Sequence, residues 1–147
     1  MTTLEQSIDV NVPAEVAWAQ LHRMDSYPQF IDGLQSVEQR GKDQAHLQIQ
    51  ADGHSQIQCD TEIMDRRPNE QMTFRVMNGG PKMDGSVELR PLDDKHCKIQ
   101  VRLEYDPQEV SNSLGLKSAK PDNAIKANVK HDMERFKSLV ERRSPKS

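Results

Sequence analysis

Acid–base chemistry needs titratable side chains gathered in one water-poor site, and a metal centre needs ligands at recurring spacings. The five histidines, at positions 22, 46, 54, 96 and 131, share no such spacing. No G-x-S-x-G elbow, Walker loop, G-x-G-x-x-G turn or H-E-x-x-H helix occurs. "NGGP" at 78–81 reads as a turn, because no strand-to-helix transition follows it. Cys59 and Cys97 are too few for a disulfide framework or a cysteine-rich metal site. No metal or other cofactor is therefore expected, and both thiols are expected to be reduced, in the cytoplasm.

One carboxylate breaks the apolar pattern around it. Asp132 lies seven residues after Ile125 and three after Val129. At about 100° per residue that places it within the stripe of Ile125, Val129, Phe136, Leu139 and Val140. Burying a carboxylate is costly unless it is paired. Asp132 is thus either a structural hydrogen-bonding group or a polar anchor on a cavity floor, a role Asn128 could share.

The elements that would position such groups are legible in the periodicity. "SIDVNV" sets Ile8, Val10 and Val12 on one face of a strand. Pro13 then opens a short helix, with Glu15 near its positive end. A second short helix or turn over about 25–33 carries Tyr27, Phe30 and Ile31 and stops at Gly33. From 35 to 106 the pattern is repeated β, divided by turn clusters at 41–43, 51–54, 66–70, 78–82 and 91–95. Connections this short imply antiparallel neighbours.

Parity divides these strands into two faces. Leu47, Ile49 and Ala51 share one, as do Ile57, Cys59, Thr61 and Ile63. Met72, Phe74 and Val76, then Val87 and Leu89, then Cys97, Ile99, Val101, Leu103 and Tyr105 continue it. Asp60, Glu62, Arg75, Glu88, Arg90, Arg102 and Glu104 alternate outward, as does His46. The sheet thus has one apolar and one hydrated face, and a helix over Pro121 to about Arg143 covers the apolar one. Only Cys59, Cys97, Thr61 and Tyr105 bring polar or titratable atoms inward, and a β-bulge would invert the parity beyond it.

With 147 residues the chain makes one domain, 1–147, of class α+β. It is 34% hydrophobic and 29% charged, with a net charge of -3 of mixed signs and a mean hydropathy of -0.85. That balance argues against a nucleic-acid or anionic-membrane surface. The N-terminus reads as neither a signal peptide nor a membrane anchor.

Four stretches in this order resemble the START-like, or helix-grip, superfamily. They are "VPAEVAWAQLHRMDSYPQFIDGLQSVE", "CDTEIMDRRPNEQMTFR", "GGPKMDGSVELRPL" and "VKHDMERFKSLVERR". The nearest likeness is to its bacterial polyketide cyclase/dehydrase and lipid-transport branch. The resemblance implies a curved antiparallel sheet of six to seven strands around a long C-terminal helix. It implies two short helices after strand 1, and a deep apolar cavity between sheet and helix. Members commonly carry tryptophans on the middle strands, where Cys59 and Phe74 stand here, so smaller and softer walls are expected.

The expected function is binding of a hydrophobic or aromatic small molecule, polyketide-, quinone- or lipid-like. Its walls are Tyr27, Phe30, Leu47, Ile49, Cys59, Phe74, Leu103, Ile125 and Val129, with Asn128 and Asp132 as polar contacts. Tyr27 and Phe30 are also expected to plug the open side of the grip, and the turns at 52–54 and 78–82 to frame its mouth. Two alternatives stand beside this. One is a cyclase or dehydrase that uses the cavity as a template, with Tyr105, Asp132 and the thiols as its proton-transfer candidates. The other is an interaction protein whose cavity is filled by its own side chains.

Overall fold

The computed structural model describes residues 2–31, 34–51, 55–79, 82–106, 108–110 and 121–143. Seven strands form one antiparallel sheet: β1 (Thr2–Val10), β2 (Leu34–Arg40), β3 (Gln44–Ala51), β4 (Ser55–Arg67), β5 (Gln71–Asn78), β6 (Met83–Asp93) and β7 (His96–Tyr105). Their order is β1-β7-β6-β5-β4-β3-β2. The meander from β2 to β7 is therefore laid down strand by strand, and β1 closes it by pairing with β7 along its whole length, from Thr2 opposite Tyr105 to Val10 opposite Cys97.

Between β1 and β2 the chain forms α1 (Ala14–Leu21) and then a 3-10 helix, Met24–Gln29. The expected second helix is thus tighter and shorter than the 25–33 segment. Pro28 lies inside it and has no N–H to donate, so an α-helical ladder cannot run through. The Phe30 and Ile31 N–H groups both donate to the Tyr27 carbonyl, at 3.1 and 2.9 Å. Gly33 lies outside the described residues.

The C-terminal helix, α2, spans Pro121–Arg143 as the apolar stripe predicts. Ile125, Met133, Phe136, Leu139 and Val140 are buried and Val129 is half-buried. Its last turns are tied to the end of β1 by polar contacts. Lys137 Nζ donates to the Asp9 carbonyl at 2.9 Å and to Glu141 Oε2 at 2.6 Å, and the Asn11 N–H donates to the same carboxylate oxygen at 3.1 Å.

Two core clusters result. The larger joins α1, Phe30, the middle of β6, the start of β7 and the second half of α2; the smaller gathers Leu4, Leu103, Tyr105, Val110 and Ile125 at the other end. Phe74, Val101 and Val129 pack against both.

Parity holds along β3, β7 and β6 as far as Pro91 but is broken on the β4–β5 pair. Ile63 faces Phe74 while Asp65 faces Thr73, which leaves Met64 as an extra residue in β4. Likewise Thr61 faces Val76 while Asp60 faces Asn78, which leaves Met77 extra in β5. Such bulges bend the strand and shift its alternation. Beyond Met64 the register sets Arg66 opposite the buried Met72, on the inward face.

Candidate functional site on the concave face

The inward face of the sheet is covered unevenly. Toward β1, β6 and β7, the helices bury Val87, Leu89, Cys97, Ile99, Leu103 and Tyr105. Toward β3, β4 and β5 the inward side chains Leu47, Ile49, Ile57, Ile63, Phe74 and Val76 are only half-buried. Leu47 faces Cys59, and Ile49 faces Ile57, so these residues form one continuous apolar surface. Cys59 lies at its base, 4% exposed. Full burial of one such aliphatic side chain contributes about 1.5–3 kcal/mol, so a run left half-exposed holds unspent hydrophobic free energy that a ligand could release.

Few polar atoms meet this surface. Thr61 Oγ1 donates to the Ala45 carbonyl at 3.4 Å. Burial, and secondarily the Asp60 charge, push the Cys59 thiol pKa upward, which keeps it a neutral thiol. The Tyr27 hydroxyl donates to the Leu21 carbonyl at 2.5 Å. Burial pushes its pKa up to about 12, and the nearby Arg66 charge opposes that rise.

Arg66 is the group that parity alone did not find. Its Nη1 pairs with Asp43 and its Nη2 donates to the Lys42 carbonyl at 2.7 Å, so its head is held at the β2–β3 turn. Its Nε is buried without a partner among the described residues. The only sequence signal for this placement was the possibility of a bulge, because Arg66 reads as a residue of the following turn.

The expected wall residues divide into four groups. Leu47, Ile49 and Cys59 lie on the open surface, and Phe74 and Val129 at its boundary with the core. Leu103 and Ile125 belong to the smaller core cluster. Tyr27 and Phe30 join the larger one: the Tyr27 ring stands edge-on to Phe30, centroids 5.4 Å apart.

Of the two polar expectations on α2, that for Asn128 needs correction. Asn128 is exposed, because it lies 60° before Ile125 around the helix, on the side away from Val129 and Met133. Asp132 lies within the stripe, between the buried Leu139 and Phe136 around the helix, with its side chain 24% exposed and Arg135 Nη1 3.9 Å away. Tyr105 is fully buried in the small cluster. His46 faces outward as expected, with Nδ1 2.7 Å from Asp60 and Nε2 3.2 Å from Gln58. His54 and residues 52–54 and 80–81 of the proposed mouth lie outside the described residues. Among the described residues no three His, Cys, Asp or Glu side chains are grouped to hold a metal, and no helix is long and apolar enough to cross a membrane.

A sheet gripping one helix, with a half-covered apolar concavity, is the architecture that the sequence resemblance implies. Residues 1–141 match the family of polyketide cyclase / dehydrase and lipid transport proteins. The chain belongs to that family. An uncharacterized 17.2 kDa protein of Streptomyces lincolnensis is 31% identical over 144 residues, covering 97% of this chain and 92% of the relative. Among solved structures, a START superfamily protein from Mycobacterium smegmatis superposes with a TM-score of 0.74 at 16% identity, covering 97% of this chain and 99% of that one. An aromatase/cyclase from a Streptomyces species does so with 0.74 at 18% identity, covering 97% and 94%. At these identities the likeness to the two structures speaks for the fold alone, a helix-grip sheet around one long helix.

Proposed function

We propose that this protein binds a hydrophobic small molecule, polyketide-, quinone- or lipid-like, on the concave face between β3–β5 and α2. The observation that carries this reading is the half-exposure of inward-pointing Leu47, Ile49, Ile57 and Val76. A cavity filled by the chain's own side chains would bury them. Covering about 200 Å² of apolar surface contributes about 5 kcal/mol before the costs of association. Thr61 and the neutral Cys59 thiol supply weak polar contacts, and half-buried Arg66 adds a charge at the β2–β3 end. Few polar groups in an apolar concavity suit recognition by shape with light orientation.

A cyclase reading is favoured by one observation: the bulge at Met64 places a cation, Arg66, on the concave face near Tyr27. A fixed cation can stabilise an enolate oxygen while the walls fold a poly-β-keto chain, so that proximity supplies much of the rate. Binding is the preferred reading because, Asp132 apart, the proton-transfer candidates are enclosed, already bonded, or too weakly acidic to serve as bases near neutral pH. Tyr27 donates its proton to a backbone carbonyl, Tyr105 is enclosed, and both thiols are held protonated, Cys97 with a pKa of about 11.

The test is a titration with 1-anilinonaphthalene-8-sulfonate and long-chain fatty acids, read by fluorescence and thermal shift. Alkylation of Cys59 in a Cys97→Ser background locates the site. Saturable binding that slows Cys59 alkylation supports the reading; its absence across the set overturns it. Turnover of a poly-β-ketothioester that Arg66→Gln abolishes, with probe binding intact, would establish the cyclase instead.

A further inference from the structure

Three residues lie side by side across the boundary between the covered and open parts of the concave face. Phe74 on β5 is directly opposite Gly85 on β6, and Gly85 is directly opposite Leu103 on β7. All three positions face inward. Glycine in a strand interior sacrifices packing and chain entropy, so it is retained where something must approach the backbone closely. Here two side chains do. A β-carbon at Gly85 would lie 2.5 Å from Phe74 Cζ, 2.8 Å from Phe74 Cε2 and 2.8 Å from Leu103 Cδ2.

The outer edge of the Phe74 ring therefore occupies the place of the missing side chain. Inward side chains of a strand ordinarily stand roughly perpendicular to the sheet. The Phe74 ring instead crosses the spacing of about 4.8 Å to the next strand and leans over the backbone of β6. Lying there, the ring is floor. Standing upright, it would be a partition between the sheet and α2, whose Val129 packs against the same two core clusters as Phe74.

We infer that Gly85 sets the depth of the concave site, by letting the Phe74 ring lie down against β6, and so decides how large a molecule enters. This rests on the reading of the concave face as a ligand site. Any β-carbon at position 85 pushes the ring off β6 toward α2, because the sheet backbone beneath cannot recede and Leu103 closes the other side. The shift removes space from the deep end of the cavity and leaves the outer surface of Leu47 and Ile49 untouched.

The experiment compares two fluorescent probes, 2-naphthol with two fused rings and 1-hydroxypyrene with four, on wild type, Gly85→Ala and the double variant Gly85→Ala/Phe74→Leu. In Gly85→Ala, 1-hydroxypyrene should bind about tenfold more weakly and 2-naphthol less than about twofold. The double variant should recover 1-hydroxypyrene to within about threefold of wild type, because the shorter side chain makes room for the new methyl group. A crystal structure of Gly85→Ala should show the Phe74 ring displaced from β6. Equal losses for both probes, no loss, or an unmoved ring would overturn the inference. If Gly85→Ala does not fold, Phe74→Leu alone decides: it lowers the floor and should favour 1-hydroxypyrene over 2-naphthol, and unchanged selectivity would overturn the inference. Wild type that binds neither probe refutes the ligand site itself, while the ring position in the Gly85→Ala crystal still decides whether Gly85 holds Phe74 down.

Discussion

The Phe30 ring meets Phe136 edge-on, with centroids 5.1 Å apart and planes at 79°. The contact joins the segment after α1 to the middle of α2. Tyr27 extends it, standing edge-on to Phe30 at 5.4 Å and 64°. Such arrangements place a positive ring edge against a negative ring face and add about 0.5–1.5 kcal/mol beyond burial. The aromatic residues of "YPQF" thus close one end of the grip against the helix that the sheet surrounds.

Phe136→Ala removes the hub of this contact from a buried position. It should cost about 3–5 kcal/mol and, at this chain length, lower Tm by about 6–20 °C in differential scanning calorimetry. Phe136→Leu should cost clearly less. A loss below about 1 kcal/mol for the alanine variant would mean that α2 does not rest on Phe30.

Two glycines share a left-handed backbone but not their surroundings. At Gly79, φ is +82° and a β-carbon would lie 2.2 Å from the Gln58 carbonyl oxygen. At Gly41, φ is +75° with nothing within 4 Å. Gly41→Ala should therefore cost about 1 kcal/mol, from backbone strain alone, and Gly79→Ala about 3 kcal/mol or more. Urea denaturation midpoints of the two variants test the order; equal values refute the close approach of Gly79 to β4.

Tyr27 predicts an alkaline limb in the stability profile. Burial favours its neutral phenol, with a folded pKa of about 12 against an ordinary 10.0. The raised folded value means that the stabilisation is fully present below pH 10 and is lost as pH rises toward 12, where only the unfolded chain ionises readily. Denaturation midpoints measured from pH 9 upward should fall more steeply for wild type than for Tyr27→Phe, which cannot ionise. Absorbance titration near 295 nm should show one phenol fewer titrating late in the variant.

Glu141 predicts the opposite limb. Burial disfavours its charge, but the Lys137 ammonium, the Asn11 N–H and the Lys137 charge outweigh that and hold its carboxyl below the ordinary 4.5. A lowered folded pKa stabilises fully above pH 4.5 and is lost as pH falls through the folded value. The stability gap between wild type and Glu141→Gln should be constant near neutrality and shrink in acid. Urea melts at stepped pH check this, and a gap that widens in acid would contradict the tie between α2 and the end of β1.

Much of this molecule follows from local periodicity. Alternation in "HCKIQVRLEY" set Cys97, Ile99, Leu103 and Tyr105 inward, and the stripe from Ile125 to Val140 announced a helix with one buried side. Both patterns depend only on residues a few positions apart, so one sheet, one long helix and an apolar face between them could be read directly. What distant pairing decides could not. Whether Met64 is accommodated as a bulge depends on β5, and the bulge turned Arg66 from a turn residue into an inward cation. How far α2 reaches across the sheet left Leu47 and Ile49 open, while Leu103 and Ile125, of equal hydrophobicity, went into the core. The Phe74 ring over Gly85 requires two strands in a particular register, and no single strand records its neighbour. The amino-acid order determined the apolar face of each regular strand and of the long helix; the packing of strands and helices against one another determined where a bulge shifts that face and which inward side chains remain available to a ligand.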